Sequence, residues 1–141
     1  MPPDAPIPGS PEDWLRHAKS DLALARQRHA PDILFTTLCF HTQQAVEKSI
    51  KAVLVQRGIV FPYTHDLARL ITLVQDARLP WPDDLNAAAA LTEYAVGSRY
   101  PGPGGEIADT EYQQALTLAQ RVLDWAEHAL RQLPQTGDAC C

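Results

Sequence analysis

An all-α bundle of about five helices is the architecture this sequence predicts, and three observations carry that prediction. Residues 32–58, DILFTTLCFHTQQAVEKSIKAVLVQRG, read as a long helix that is apolar over most of its circumference. A helix apolar on nearly all sides is normally surrounded by other helices. Four further segments repeat their apolar residues at helical spacing, and no segment alternates over more than a few residues, so no strand is expected.

The elements follow in chain order. Residues 1–9 hold four of the twelve prolines and little apolar bulk, so they are expected as a disordered lead-in. Ser10, Pro11, Glu12 and Asp13 make a helix start: a capping serine, proline at the first helical position, then acids in the first turn. That helix is expected to run to His29, with Trp14, Leu15, Ala18, Leu22 and Ala25 as its apolar stripe. Ala30, Pro31 and Asp32 turn the chain into the central helix, which stops at Gly58. In it, Leu34, Leu38, Ala45 and Ala52 share one sector, and Phe35, Val46, Ile50 and Val53 the next.

Thr64 is expected to cap a third helix, with His65 and Asp66 in its first turn and Leu67, Leu70, Ile71 and Val74 facing inward. Leu79, Pro80, Trp81 and Pro82 break it, because proline cannot continue a helix. A fourth, alanine-rich helix is expected over 83–96, with Leu85, Ala88, Leu91, Tyr94 and Ala95 available for packing. Residues 97–105, GSRYPGPGG, carry four glycines and two prolines and exclude regular structure. Asp109, Thr110 and Glu111 open a last helix reaching Leu133, with Ala115, Leu116, Ala119, Val122, Leu123, Ala126, Ala129 and Leu130 inward. The domain is thus 10–133, and 134–141 is a flexible tail.

Composition excludes several function classes. The net charge of −5 gives no global basic field for gripping a duplex, so any phosphate contact must be local. No apolar run approaches the roughly 18 residues that span a bilayer. The first residues lack the basic-then-apolar order of a secretory signal. Three cysteines make no disulfide framework, and Cys140 and Cys141 lack further ligands at metal spacing. A cytoplasmic location is the simplest expectation. No Walker loop, dinucleotide fingerprint or nucleophile triad is present.

One narrow polar stripe interrupts the central helix: His41, Gln44, Lys48 and Lys51, at spacings that stack them on one face. Helix lysines are usually solvated, and Glu47 with Lys51 is an ordinary i,i+4 pair. On an otherwise apolar helix, however, two ammonium groups, an amide and an imidazole suit a groove that takes a phosphate, a nucleotide or a partner. Arg99 and Tyr100 are the only large side chains in the glycine-rich loop, and they could clamp a phosphate and stack on a base.

Three blocks carry a resemblance to a known family. They are 40–52 (FHTQQAVEKSIKA) in the second helix, 64–67 (THDL) opening the third, and 98–102 (SRYPG) after the fourth. In this order they resemble the HEPN domain family, over roughly residues 11–133. The resemblance implies a helical bundle that commonly pairs as a homodimer. It also implies a minimal nucleotidyltransferase as partner, often within a toxin–antitoxin pair, and a nucleotide or RNA ligand. One large branch consists of metal-independent ribonucleases, with an arginine followed after four to six residues by a histidine.

This sequence departs from that pattern. After Arg99 the corresponding positions are Gly104, Gly105 and Glu106, so the general base is missing there. A literal match, Arg121 with His128, falls in the last helix and away from the loop. The reading favoured is therefore a non-catalytic nucleotide-binding or interaction module. Its binding residues would be His41, Gln44, Lys48, Lys51, His65, Arg99 and Tyr100, with no cofactor or metal. The rival is a ribonuclease toxin using Arg121 and His128.

Overall fold

A computed structural model describes residues 5–96 and 105–132. The elements are α1 (Pro11–Ala25), α2 (Phe35–Gln56), α3 (Leu67–Asp76), a 3-10 segment (Asp83–Thr92) running into the short α4 (Glu93–Val96), and α5 (Asp109–Arg131). No strand occurs among the described residues. The all-α bundle is thus as the sequence predicts. The loop bearing Arg99 and Tyr100, and the tail from Leu133 onward, lie outside the described residues.

α1 begins as its residues dictate. The Ser10 side chain accepts a hydrogen bond from the Asp13 amide, and Asp13 accepts one in return from the Gly9 amide. The first bond satisfies a donor that the first helical turn leaves without a partner, and the second ties the residue before the cap to the helix. The Gly9 amide, and then the Arg16 guanidinium, hold the Asp13 carboxyl below its usual range. The helix ends four residues earlier than expected, at Ala25 rather than His29. Tyr112 explains the stop: fully buried in α5, it donates its hydroxyl to the Ala25 carbonyl at 2.7 Å and stacks on Phe35 at 4.7 Å. Residues 26–34 form successive turns, and α2 starts at Phe35 instead of Asp32.

α2 is the centre of the bundle, packing on α1 and α5 and touching every other element. Leu38, Ala45, Val46, Ile50, Ala52 and Val53 are completely buried. Leu34, expected in the apolar sector, is 62% exposed because it precedes the helix as its cap residue. Gly58 ends α2 in the left-handed region at φ 68°, while the Ile59 amide returns to the Leu54 carbonyl. Glycine takes this conformation without the Cβ penalty.

α3 is capped by Asp66, which accepts from the Ala68 amide, and not by Thr64. Thr64 accepts from the Asp66 amide and so shapes the preceding turn. At the far end Arg78 takes the same left-handed conformation as Gly58, at φ 60°. The expected fourth α-helix is mostly a 3-10 helix. Its buried residues, Leu85, Ala88 and Leu91, recur every three positions. That period aligns side chains in a 3-10 helix, where residues three apart eclipse. The break before it is fastened to α5: Trp81 meets Trp125 edge-on at 4.8 Å, and the Trp125 indole donates to the Pro80 carbonyl.

Candidate functional site

The polar stripe of α2 divides into two groups built to the same plan. In each, a carboxylate bridges a histidine Nδ1 and a lysine ammonium. In the first, Asp21 of α1 accepts from His41 Nδ1 at 2.9 Å with one oxygen and from Lys48 Nζ at 2.6 Å with the other. These side chains are half-buried, Asp21 at 14% exposure and His41 and Lys48 at 23% each. The Phe40 ring meets His41 edge-on at 5.2 Å. The contacts run in opposite chain order, with Trp14 near Lys51 and Asp21 near His41, so α1 lies antiparallel to α2.

In the second group Glu47 is the bridge. It accepts from Lys51 at 2.8 Å, from His65 Nδ1 at 2.8 Å and from Gln43 Nε2 at 2.9 Å. Lys51 is 5% exposed, reaches the Thr64 carbonyl and lies over the Trp14 and Phe61 rings. Burial pushes the Glu47 carboxyl up, but hydrogen bonds from Lys51, His65 and Gln43 together outweigh it and hold it below its usual value. A buried charge survives when it is paired and hydrogen-bonded in this way. Gln44 joins the second group by donating to Gln43 Oε1 at 2.7 Å.

The sequence-predicted residues are therefore distributed as follows. His41 and Lys48 meet through Asp21. Gln44, Lys51 and His65 meet through Gln43 and Glu47. Arg99 and Tyr100 lie outside the described residues. Arg121 pairs with exposed Asp84 at 2.7 Å, and His128 is exposed on the same helix with no hydrogen bond to its ring among the described residues. Sequence reasoning missed Asp21 and Gln43 and took Glu47 only as a helix pair. Asp21 did leave a signal: it falls on the apolar stripe of α1, between Ala18 and Ala25, where a lone acid needs a partner.

Each lysine of the stripe thus has a carboxylate counter-ion, so the local charge is balanced. What remains outward is chemistry of hydrogen bonding. A carboxylate accepts only, so each imidazole presents a donor at Nδ1 and leaves Nε2 for another group. Among the described residues no cluster of three His, Cys, Asp or Glu is placed to hold a metal ion. No helix there is long and apolar enough to cross a membrane.

Comparison with known proteins sets this geometry in context. The model of the HEPN domain family matches residues 11–129. The Methanocaldococcus jannaschii protein "Putative toxin MJ1304" is 29% identical over 128 residues, covering 83% of this chain and 81% of its own. A crystal structure of TT1696 from Thermus thermophilus superposes with a TM-score of 0.70 at 31% identity, over 86% of this chain and 98% of that one. A crystal structure of ST0689, an archaeal HEPN homologue, gives 0.66 at 27% identity, over 84% and 96%.

Proposed function

The chain belongs to the HEPN domain family, and from that premise we propose that it is the toxin-like member of a toxin–antitoxin-type pair, acting as a nucleotide-binding and interaction module. Its partner would be a minimal nucleotidyltransferase. The resemblance of the archaeal relative, named as a toxin candidate, supports the pair. The observation that carries the binding reading is the two carboxylate-held histidines beside α2, His41 and His65, each with Nε2 left over. Side chains fixed by neighbours bind with little loss of freedom. His41 belongs to the central helix itself, and His65 is fastened to it through Glu47.

Two experiments test this. Calorimetric titration of the purified chain with ATP reads the binding. Co-expression with a neighbouring nucleotidyltransferase reading frame, followed by affinity purification, reads the pairing. Expression alone should slow growth of a bacterial host, and co-expression should relieve it. RNA cleavage that disappears in His128→Ala would replace this reading with the ribonuclease one.

A further inference from the structure

We propose that the end of α2 is a binding site for an acidic segment of chain, and that its occupant is the stretch following α5. Asp138 pairs there with the guanidinium of Arg57, and a backbone amide of the same stretch donates to Gln56. This contact uses none of the residues of the two carboxylate-held histidine groups.

Two buried side-chain atoms have no hydrogen-bond partner among the described residues: Gln56 Oε1, an acceptor, and Arg57 Nε, a donor. A buried polar atom left in this way is costly. The two residues close α2, Gln56 as its last residue and Arg57 as its cap. No carboxylate of the described residues pairs with Arg57, whereas Arg16, Arg28 and Arg121 each have one. A guanidinium presents its N–H donors in a planar fork that matches a carboxylate. The missing partners are thus a carboxylate for Arg57 and an N–H for Gln56, and an acidic peptide supplies both.

The chain's own continuation is in place to supply them. Gln56 Nε2 donates to the Leu130 carbonyl at 3.4 Å, so the end of α5 lies beside the end of α2. α5 stops at Arg131, and Pro134 cannot continue a helix. Asp138 is the only charged side chain of 133–141, LPQTGDACC, so the stretch brings an anion and no cation to oppose Arg57. From Gln132 to Asp138 the chain extends to at most about 20 Å. That is ample to cross a helix end roughly 10 Å wide. Composition alone reads this stretch as a free tail; the two unsatisfied atoms give it a destination.

The test is NMR of the full chain together with a double-mutant cycle. Heteronuclear relaxation should show the amides of 136–139 as ordered as those of α5 in wild type, and moving freely in Arg57→Gln. The Arg57 Nε–H signal should shift in Asp138→Asn and stay in place in Asp76→Asn, which alters an exposed carboxylate on α3. In urea, Arg57→Gln and Asp138→Asn should each lower the midpoint, and the double variant should lose less than the sum of the two. All of these readings should be independent of chain concentration. Amides of 136–139 that move freely in wild type, an Arg57 signal indifferent to Asp138→Asn, or additive midpoint losses overturn the proposal. Ordering that grows with chain concentration overturns it too, because the segment then comes from a second copy.

Discussion

His65 Nδ1 lies 2.8 Å from Glu47 Oε1, although the two residues stand 18 positions apart. Through that contact, and through Lys51 to the Thr64 carbonyl, the connector between α2 and α3 is fastened to the central helix. Glu47→Ala would leave Lys51 buried without its counter-ion. Removing one partner of a buried pair costs about 3–5 kcal/mol. Urea denaturation should show a loss of that size, and Val60→Ala, on the exposed part of the same connector, should show almost none.

The pH dependence follows from the same carboxylate. Its folded pKa lies below the unfolded value of 4.5. The stability it contributes is therefore complete above 4.5 and is lost as pH falls through the lower folded value. Thermal unfolding followed from pH 7 down to about pH 3 should give Glu47→Gln a flatter acid limb than wild type. Identical acid limbs would show that the Glu47 group carries no such linkage.

Two helix ends make a matched pair of backbone tests. Gly58 and Arg78 both take left-handed conformations, at φ 68° and 60°. Arg78→Gly should raise stability by roughly 1 kcal/mol, since a side chain there is strained. Gly58→Ala should lower it by about the same amount. A Cβ at Gly58 would touch nothing within 4 Å, so strain alone is measured. The readout is the urea midpoint at constant slope.

Binding and stability should separate at two of the sequence-predicted binding residues, Lys48 and Arg99. Lys48→Ala and Arg99→Ala should each weaken ATP or partner binding by about 1–3 kcal/mol, as for charge-assisted hydrogen bonds. The melting temperature should move little, since the Lys48–Asp21 pair is partly exposed and such pairs contribute roughly 1 kcal/mol or less. Wild-type affinity in both variants would remove these residues from the site.

Assembly is the remaining prediction. Leu34, Phe40, Val60, Tyr63 and Val96 are large apolar side chains exposed on the single chain. Exposed apolar surface of this kind favours association when it is contiguous. Light scattering at micromolar concentration should give twice the chain mass in the absence of the partner. A monomer mass would refute the homodimer.

Periodicity made the helices legible because each buries a stripe, and stripes are written in spacing. It placed Ile50 and Val53 inside correctly, yet it could not place Lys51, whose burial depends on Glu47, Thr64 and two aromatic rings from elsewhere. Local propensity also misjudged 83–92: an alanine-rich run reads as α-helix, while the three-residue spacing of Leu85, Ala88 and Leu91 and their tertiary packing select the tighter form. The end of α1 was invisible for a similar reason, since Tyr112 claims the Ala25 carbonyl from 87 residues away. Of the candidate site, the residue types on α2 were readable, but the acid that joins His41 to Lys48 comes from a different helix.

The edge-on meeting of Trp81 and Trp125 gives this protein an optical signature of its own. Two indoles 4.8 Å apart and nearly perpendicular are coupled chromophores, and the near-ultraviolet dichroism they generate depends on their mutual angle. The third tryptophan, Trp14, lies at the other group of contacts, beside Lys51 and Phe61. The chain therefore carries light-sensitive reporters at two separate contacts. Dichroism of the pair follows the docking of the proline-rich break on α5, while Trp14 emission, read with Trp81 and Trp125 replaced by Phe, follows the Glu47–Lys51 pair, with no dye or label added.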